Sequence, residues 1–308
     1  MSIRVESVSY TYMEDTPLSH TALHELSLTI PDGSFTAIAG ETGAGKSTLM
    51  QIMGGLVTPT KGNVFVDDTA LFGAFGKERK PALAARLRVG MVFQYPEHQL
   101  FEETVYEDIR FGPKNQGLAE EEIDARVKDA MRLVGLDESY RARSPFALSG
   151  GEQRRAAIAG VLALAPRYLI LDEPAAGLDP CGRESLLSLL TMLHRERGMT
   201  IILVSHSMED ILRVADHLVL LAVGQVIGTG APQELFLNDA LLERTSLRAP
   251  HILTLGKKLA SAGYDTAGCT SVEEMAARIL AWKKINENAG SSLSGFSYAH
   301  FIFMQLIN

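Results

Sequence analysis

Two glycine-rich elements and one pair of acids carry the residue types and spacing of phosphate chemistry. Gly40-Glu41-Thr42-Gly43-Ala44-Gly45-Lys46-Ser47, followed by Thr48, fits the phosphate-binding pattern Gly-x-x-x-x-Gly-Lys-Ser/Thr. In such a loop the glycines let backbone N–H groups surround phosphate oxygens, and the following helix adds the partial positive charge of its N-terminus. Lys46 would set a point charge at the β- and γ-phosphates of ATP, and Ser47 would offer a hydroxyl to Mg2+. An ordinary glycine-rich turn needs neither residue. Downstream, Tyr168-Leu169-Ile170-Leu171-Asp172-Glu173 is an apolar strand ending in two acids. Asp172 is the second anchor for the metal, direct or through water. Glu173, one residue on, can take a proton from an attacking water. Leu148-Ser149-Gly150-Gly151-Glu152 lies between the two. One match to the phosphate pattern in a chain this long is roughly a one-per-cent event. Both glycine elements, in this order and followed by the acids, leave little room for coincidence.

The elements that must position these groups follow from periodicity. Residues 5–12 and 23–30 alternate as strands, and Pro31-Asp32-Gly33 is a turn. Residues 34–39 read as a buried strand entering the phosphate loop, and residues 46–53 as the helix leaving it. Residues 64–66 and 89–93 predict further strands. Residues 118–134 predict an amphipathic helix whose early acids, Glu120, Glu121, Glu122 and Asp124, suit its N-terminal dipole. A helix over 151–163 runs away from the second glycine element. Residues 167–171 and 200–204 are continuous apolar runs of the parallel-sheet type, with helices expected over 182–197 and 207–214. This order predicts a RecA-like α/β core with helices inserted in its middle. Gly224, Gly228 and Gly230 punctuate the core's end. Helical patterns at 232–237, 251–262 and 272–284 place a small helical C-terminal domain from about residue 240. Residues 285–295 read as a flexible linker and 296–308 as an apolar tail.

Composition bounds the partners. The 308 residues are 46% hydrophobic and 21% charged, ordinary for a globular protein with one large domain and a small second one. A net charge of -8 argues against nonspecific nucleic-acid binding and against docking on anionic lipid through a basic patch. Cys181 and Cys269 are too few and too scattered for a disulfide framework or a metal site, and point to a reducing compartment. The N-terminus carries no apolar signal region, and no stretch reaches the length of a membrane span. A membrane role would therefore be that of a peripheral subunit.

Over residues 3–236 the sequence resembles the ATP-binding cassette (ABC) ATPases. The resemblance implies a RecA-like nucleotide-binding core with antiparallel β and helical subdomains, spanning residues 1–239, the helical subdomain lying at about 95–163 and a helical extension at 240–308. It also assigns roles. Tyr12, in preference to Tyr10, would stack on adenine. Gln94, in Val92-Phe93-Gln94, matches the glutamine that contacts Mg2+ and senses the transmembrane subunit. Ser149, Gly150 and Gly151 match the signature that closes over the ATP of a second subunit, with Glu152 replacing a common glutamine. Gly177-Leu178-Asp179 matches the loop that communicates between the two sites. His206, in Val204-Ser205-His206, matches the histidine that contacts the γ-phosphate. Ala175-Ala176 replace a more usual threonine-containing pair.

Phe93-Gln94-Tyr95-Pro96-Glu97-His98-Gln99-Leu100-Phe101-Glu102-Glu103-Thr104-Val105, with Phe111-Gly112-Pro113-Lys114-Asn115, is similar to ATPase subunits of energy-coupling factor (ECF) transporters, most closely the second A-type subunit. That resemblance implies a heterodimer with another cassette, a transmembrane coupling subunit, a membrane-embedded substrate-binding subunit, and a place on the cytoplasmic face of the membrane. Such modules import vitamins or related micronutrients, and one branch imports cobalt or nickel ions. In them this region receives a coupling helix bearing an arginine, so Glu97 is expected to meet a cation there, with Glu102 and Glu103 as competitors. Three other readings stand beside this one. A soluble ABC protein of repair or translation would carry fused cassettes or a basic surface. A small-molecule kinase would lack residues 148–151. An idle structural subunit would lack Glu173 or His206.

Overall fold

The computed structural model describes residues 2–73, 79–261, 264, 266 and 268–288. The apolar tail expected at 296–308 lies outside them, as does most of the expected linker.

The chain opens with β1 (Ser2–Tyr12) and β2 (His20–Pro31), then β3 (Phe35–Ala39), α1 (Lys46–Met53), β4 (Lys61–Val66) and β5 (Thr69–Ala70). After α2 (Arg79–Arg86) and β6 (Val89–Val92) come α3 (Val105–Asn115), α4 (Glu120–Leu133) and α5 (Gly150–Leu162). The second half runs β7 (Tyr168–Asp172), α6 (Pro180–Arg197), β8 (Thr200–Val204), α7 (Met208–Val214), β9 (His217–Ala222) and β10 (Gln225–Gly230). Four helices close the description: α8 (Pro232–Leu237), α9 (Asp239–Thr245), α10 (His251–Ser261) and α11 (Val272–Asn288).

The strands form two sheets. One is antiparallel, in the order β2-β1-β4-β5. The other runs β10-β9-β3-β8-β7-β6, parallel from β9 to β6 and antiparallel only at β10. β3, β7 and β8 are apolar runs because helices and the other sheet cover both their faces. Successive side chains on a strand point to opposite faces, so the central sheet feeds two cores. Ile170, Ile202 and Ile38 pack with Ile3, Leu23, Leu49 and Val64 beneath the antiparallel sheet and α1. Leu169, Leu171, Ile201 and Leu203 pack with Ile109, Val127, Ala156 and Leu190 from the helices.

The chain divides into two compact units, Met1–Arg248 and Ala249–Asn308. The division falls later than the expected residue 240, because α9 buries Leu242 and Thr245 within the first unit. In the second unit Leu259, Cys269 and Met275 form a small core, and Tyr264 lies against Trp282 at 4.5 Å between ring centroids. Residue patterns do not reveal α3, α9, β9 or β10. α3 carries Gly112 and Pro113 in its last turns, which read as breakers, and β9 and β10 meet at a tight turn of Val223 and Gly224, both at positive φ.

Candidate nucleotide site

Four neighbouring parallel strands end at one edge of the central sheet, and each releases a chemically distinct segment there. β3 leads into Gly40–Ser47, β8 into Ser205-His206, β7 into Asp172-Glu173, and β6 into Gln94. Ligands of open α/β sheets bind outside such carboxyl ends. The fold thus places side by side residues that lie up to 166 positions apart in sequence, from Gly40 to His206.

The phosphate loop is held tightly from below. Gly45 has φ +95°, and a Cβ there would come 2.6 Å from the Ala22 carbonyl oxygen and 2.8 Å from Leu23 Cδ2. Only glycine fits. Lys46 Nζ donates to the carbonyl oxygens of Gly40 at 2.8 Å and Glu41 at 2.9 Å. Burial pushes the Lys46 ammonium below its ordinary pKa, while Glu173, Asp172 and Glu41 act in the opposite sense. Burial likewise raises the Asp172 carboxyl, as does the charge of Glu173; the Ser47 hydroxyl and Lys46 oppose the rise. Glu41, Thr42 and Gly43 are exposed at the mouth of the loop, and Ala44 and Thr48 are buried beneath it. The Tyr12 hydroxyl hydrogen-bonds Thr48 Oγ1 at 2.9 Å, which fixes the end of β1 to the first turn of α1.

Glu173 occupies a backbone position that L residues rarely take, at φ +46°. Its own N–H donates to the Val204 carbonyl at 2.9 Å, which ties it to the neighbouring strand. Its Oε2 lies 2.8 Å from His206 Nδ1, so carboxylate and imidazole are already in contact. Glu173 is mostly buried, whereas the His206 side chain is 71% exposed and open to a ligand. The residue after His206 is fixed firmly: Ser207 caps α7 by accepting from the Asp210 N–H, and Arg183 grips Asp210 through Nε at 3.0 and 2.8 Å. Strained backbone of this kind persists where the surrounding structure over-determines it, and it clusters at functional sites.

The second glycine element forms a separate constellation. Ser149 caps α5, with a reciprocal capping box to Glu152. Glu152 accepts from Ser149 N at 2.8 Å, Ser149 Oγ at 2.7 Å and the Tyr140 hydroxyl at 2.7 Å. These bonds, first that of Tyr140 and then those of Ser149, hold the Glu152 carboxyl down to about 2. Ser149, Gly150 and Gly151 are exposed. Asp179 caps α6 by accepting from the Gly182 N–H at 2.6 Å. Gln94 is exposed on the bend after β6.

Glu97, expected to meet a cation of another chain, already has one within this chain. Arg154 donates to it through Nε at 3.0 Å and Nη2 at 2.8 Å, and the Glu97 side chain is only 17% exposed. Pro96 starts a 3-10 turn that directs the carboxylate inward. Burial works to raise the Glu97 carboxyl, and the Arg154 hydrogen bonds and charge overcome it, leaving the group below the ordinary range. Arg154 and Tyr140 are the site residues that motif reading misses. Neither lies in a pattern, and their partners are 57 and 12 positions away.

The chain's similarities to known proteins agree with this geometry. The ABC transporter family model matches residues 23–176. The energy-coupling factor transporter ATP-binding protein EcfA2 of Clostridium perfringens is 48% identical over 267 residues, covering 86% of this chain and 92% of that protein. Its counterpart in Symbiobacterium thermophilum is 51% identical over 266 residues, covering 86% and 90%. Among solved structures, cbiO1 from Clostridium perfringens, described as part of the ABC transporter complex cbiONQ, has a TM-score of 0.68 and 37% identity, covering 83% of this chain and 98% of that one. A dimeric post-hydrolysis state of the ATP-binding cassette MJ0796, bound to ADP and Pi, has a TM-score of 0.64 and 28% identity, covering 75% and 98%.

Proposed function

Because the chain belongs to the ABC transporter family, among its energy-coupling factor ATP-binding subunits, we propose that ATP is hydrolysed at the edge of β3, β8, β7 and β6 by the residues gathered there. The chain is an ATPase subunit of an ECF-type importer. The observation that carries the site assignment is the 2.8 Å contact of Glu173 with His206 beside the Lys46 loop.

In this reading Lys46 and the loop N–H groups hold the β- and γ-phosphates, and Tyr12 stacks on adenine. His206 contacts the γ-phosphate. Glu173 accepts the proton as water attacks phosphorus, and the products are ADP and phosphate. Ser47, Asp172 and Gln94 would hold Mg2+. Their hydroxyl, carboxylate and amide oxygens form the hard donor set that this ion takes, and the ends of β3, β7 and β6 bring them to one edge of the sheet. The ion would neutralise charge on the phosphates. Gly150 and Gly151 present first-turn N–H groups at the start of α5, beside the exposed Ser149, suited to the γ-phosphate bound by a second subunit, and Asp179 caps α6 in the loop that would communicate between the two sites.

The partner cassette is a different chain, so that the pair is a heterodimer, and the pair sits peripherally on the cytoplasmic face of the membrane beneath a coupling subunit. The cargo is a vitamin or related micronutrient. No helix among the described residues is long and apolar enough to cross a membrane, which fits a subunit that relies on others to do so. The test is reconstitution of the full chain with a second cassette and the membrane subunits in vesicles. ATP-driven uptake, lost in E173Q while nucleotide binding survives, is the expected result. Uptake of vitamins, or of cobalt or nickel ions, separates the two cargo classes. Hydrolysis by E173Q at the wild-type rate would remove Glu173 from the reaction.

A further inference from the structure

We propose that Arg154 is a positioning residue for ATP hydrolysis, clamping the loop behind Glu173 to the signature helix, with Glu97 holding its guanidinium in register. Arg154 lies on the first turns of α5 and is 5% exposed. Its Nη1 donates to the carbonyl oxygens of Pro174 at 3.0 Å and Ala176 at 2.8 Å. Its Nε and Nη2 take both oxygens of Glu97 at 3.0 and 2.8 Å. One planar cation thus joins three segments: the turn after Gln94, the helix that begins at Ser149, and the loop that begins at Glu173.

The loop needs such a hold. Glu173 sits at φ +46°, and the turn that follows closes through the Ala176 N–H to the Glu173 carbonyl at 3.0 Å. Its carbonyls at 174 and 176 point to Arg154. A shift of this turn would move the Glu173 carboxylate away from His206 and from the attacking water. Misplacement of about 1 Å is enough to cost a hundredfold in rate. Arginine suits the task because its donors form a fixed fork, which a lysine cannot reproduce. Glu97 restrains the rotation of that fork, so displacement of the 96–99 turn would reach Glu173 through a single side chain.

The inference rests on Glu173 as the base, and the experiment separates the two claims. The full-length chain, in the assembled transporter, is compared with R154Q, R154K, E97Q, the exchange E97R/R154E, and E173Q. The readouts are kcat and KM for ATP and the thermal unfolding midpoint. R154Q is expected to lower kcat about tenfold to a hundredfold, with KM little changed. E97Q is expected to lose less, because both carbonyl contacts survive. The exchange restores opposite charges and recovers thermal stability but not kcat, since a carboxylate at position 154 cannot donate to the two carbonyls. A purely structural ion pair would recover both together. If R154Q fails to assemble, R154K supplies the reading, with kcat lowered at unchanged KM. Wild-type kcat in R154Q or R154K, or its recovery in the exchange, overturns the proposal. Turnover retained by E173Q would instead overturn the assignment of the base.

Discussion

The ammonium of Lys46 sits between burial, which lowers its pKa, and the carboxylates of Glu173, Asp172 and Glu41, which raise it. Its present acceptors are two loop carbonyls, so a phosphate arriving at the loop needs no buried ion pair to be broken first. On the proposed role of Lys46, K46A removes the charge that faces the phosphates. The loss is worth about 1.5–3 kcal/mol for a charged hydrogen bond, or roughly a ten- to hundred-and-fifty-fold weaker nucleotide affinity. Titration with a fluorescent ATP analogue measures it directly, and unchanged affinity would exclude Lys46 from the phosphate site. The same substitution lifts Asp172 further, because Lys46 is one of the groups that hold its carboxyl down.

At the scale of the element, α5 depends on Glu152. Its carboxyl stands at about 2 in the folded chain against an ordinary 4.5, so its contribution is complete above pH 4.5 and is lost as pH falls from 4.5 towards 2. E152Q should therefore be the less stable protein at neutral pH, with the gap closing through that window. Denaturant midpoints at a series of pH values would show it, and a gap independent of pH would contradict it. Much of this element is legible in sequence: the glycine pair marks its start and the apolar spacing its course. Its partners are not. That Arg154 faces inward to a carboxylate 57 residues upstream follows from β6 lying beside β7, an order of strands that no local pattern states. The phosphate loop and the Asp172-Glu173 strand end are readable because their chemistry is local. β9 escapes notice because three glycines after it read as an ending, although the strand pairs with β3 and completes the parallel part of the sheet.

For the whole molecule, the boundary at Arg248 makes two truncations differ. A chain ending at residue 248 keeps α9, with Leu242 at 7% and Thr245 at 0% exposure. We propose that the C-terminal unit serves subunit pairing, because every nucleotide motif lies before it, so this chain should bind nucleotide with full affinity while pairing more weakly. A chain ending at residue 239 also loses the buried Leu242, whose removal from a core costs about 2–5 kcal/mol. Its unfolding temperature should fall well below that of the longer truncation. Calorimetry resolves the stability difference, and light scattering of E173Q chains with ATP resolves the pairing. Intact pairing by residues 1–248 would give the C-terminal unit another task.

The hydrogen bond between Tyr12 and Thr48 has a consequence for which nucleotides the site accepts. With Tyr12 stacking on the base as proposed, it ties the aromatic platform to the phosphate loop as one gauge, set to a fixed distance between a flat base and its last phosphates. A stacked ring reads area and not the pattern of groups at a base's edge, because every base offers a π-face. The gauge should therefore count phosphates strictly and bases loosely. GTP should compete for the site within about tenfold of ATP, while AMP should fail, since it lacks the β- and γ-phosphates that Lys46 holds. Competition against a fluorescent ATP analogue would test both, and strong exclusion of GTP would mean that some group beyond Tyr12 reads the edge of the base.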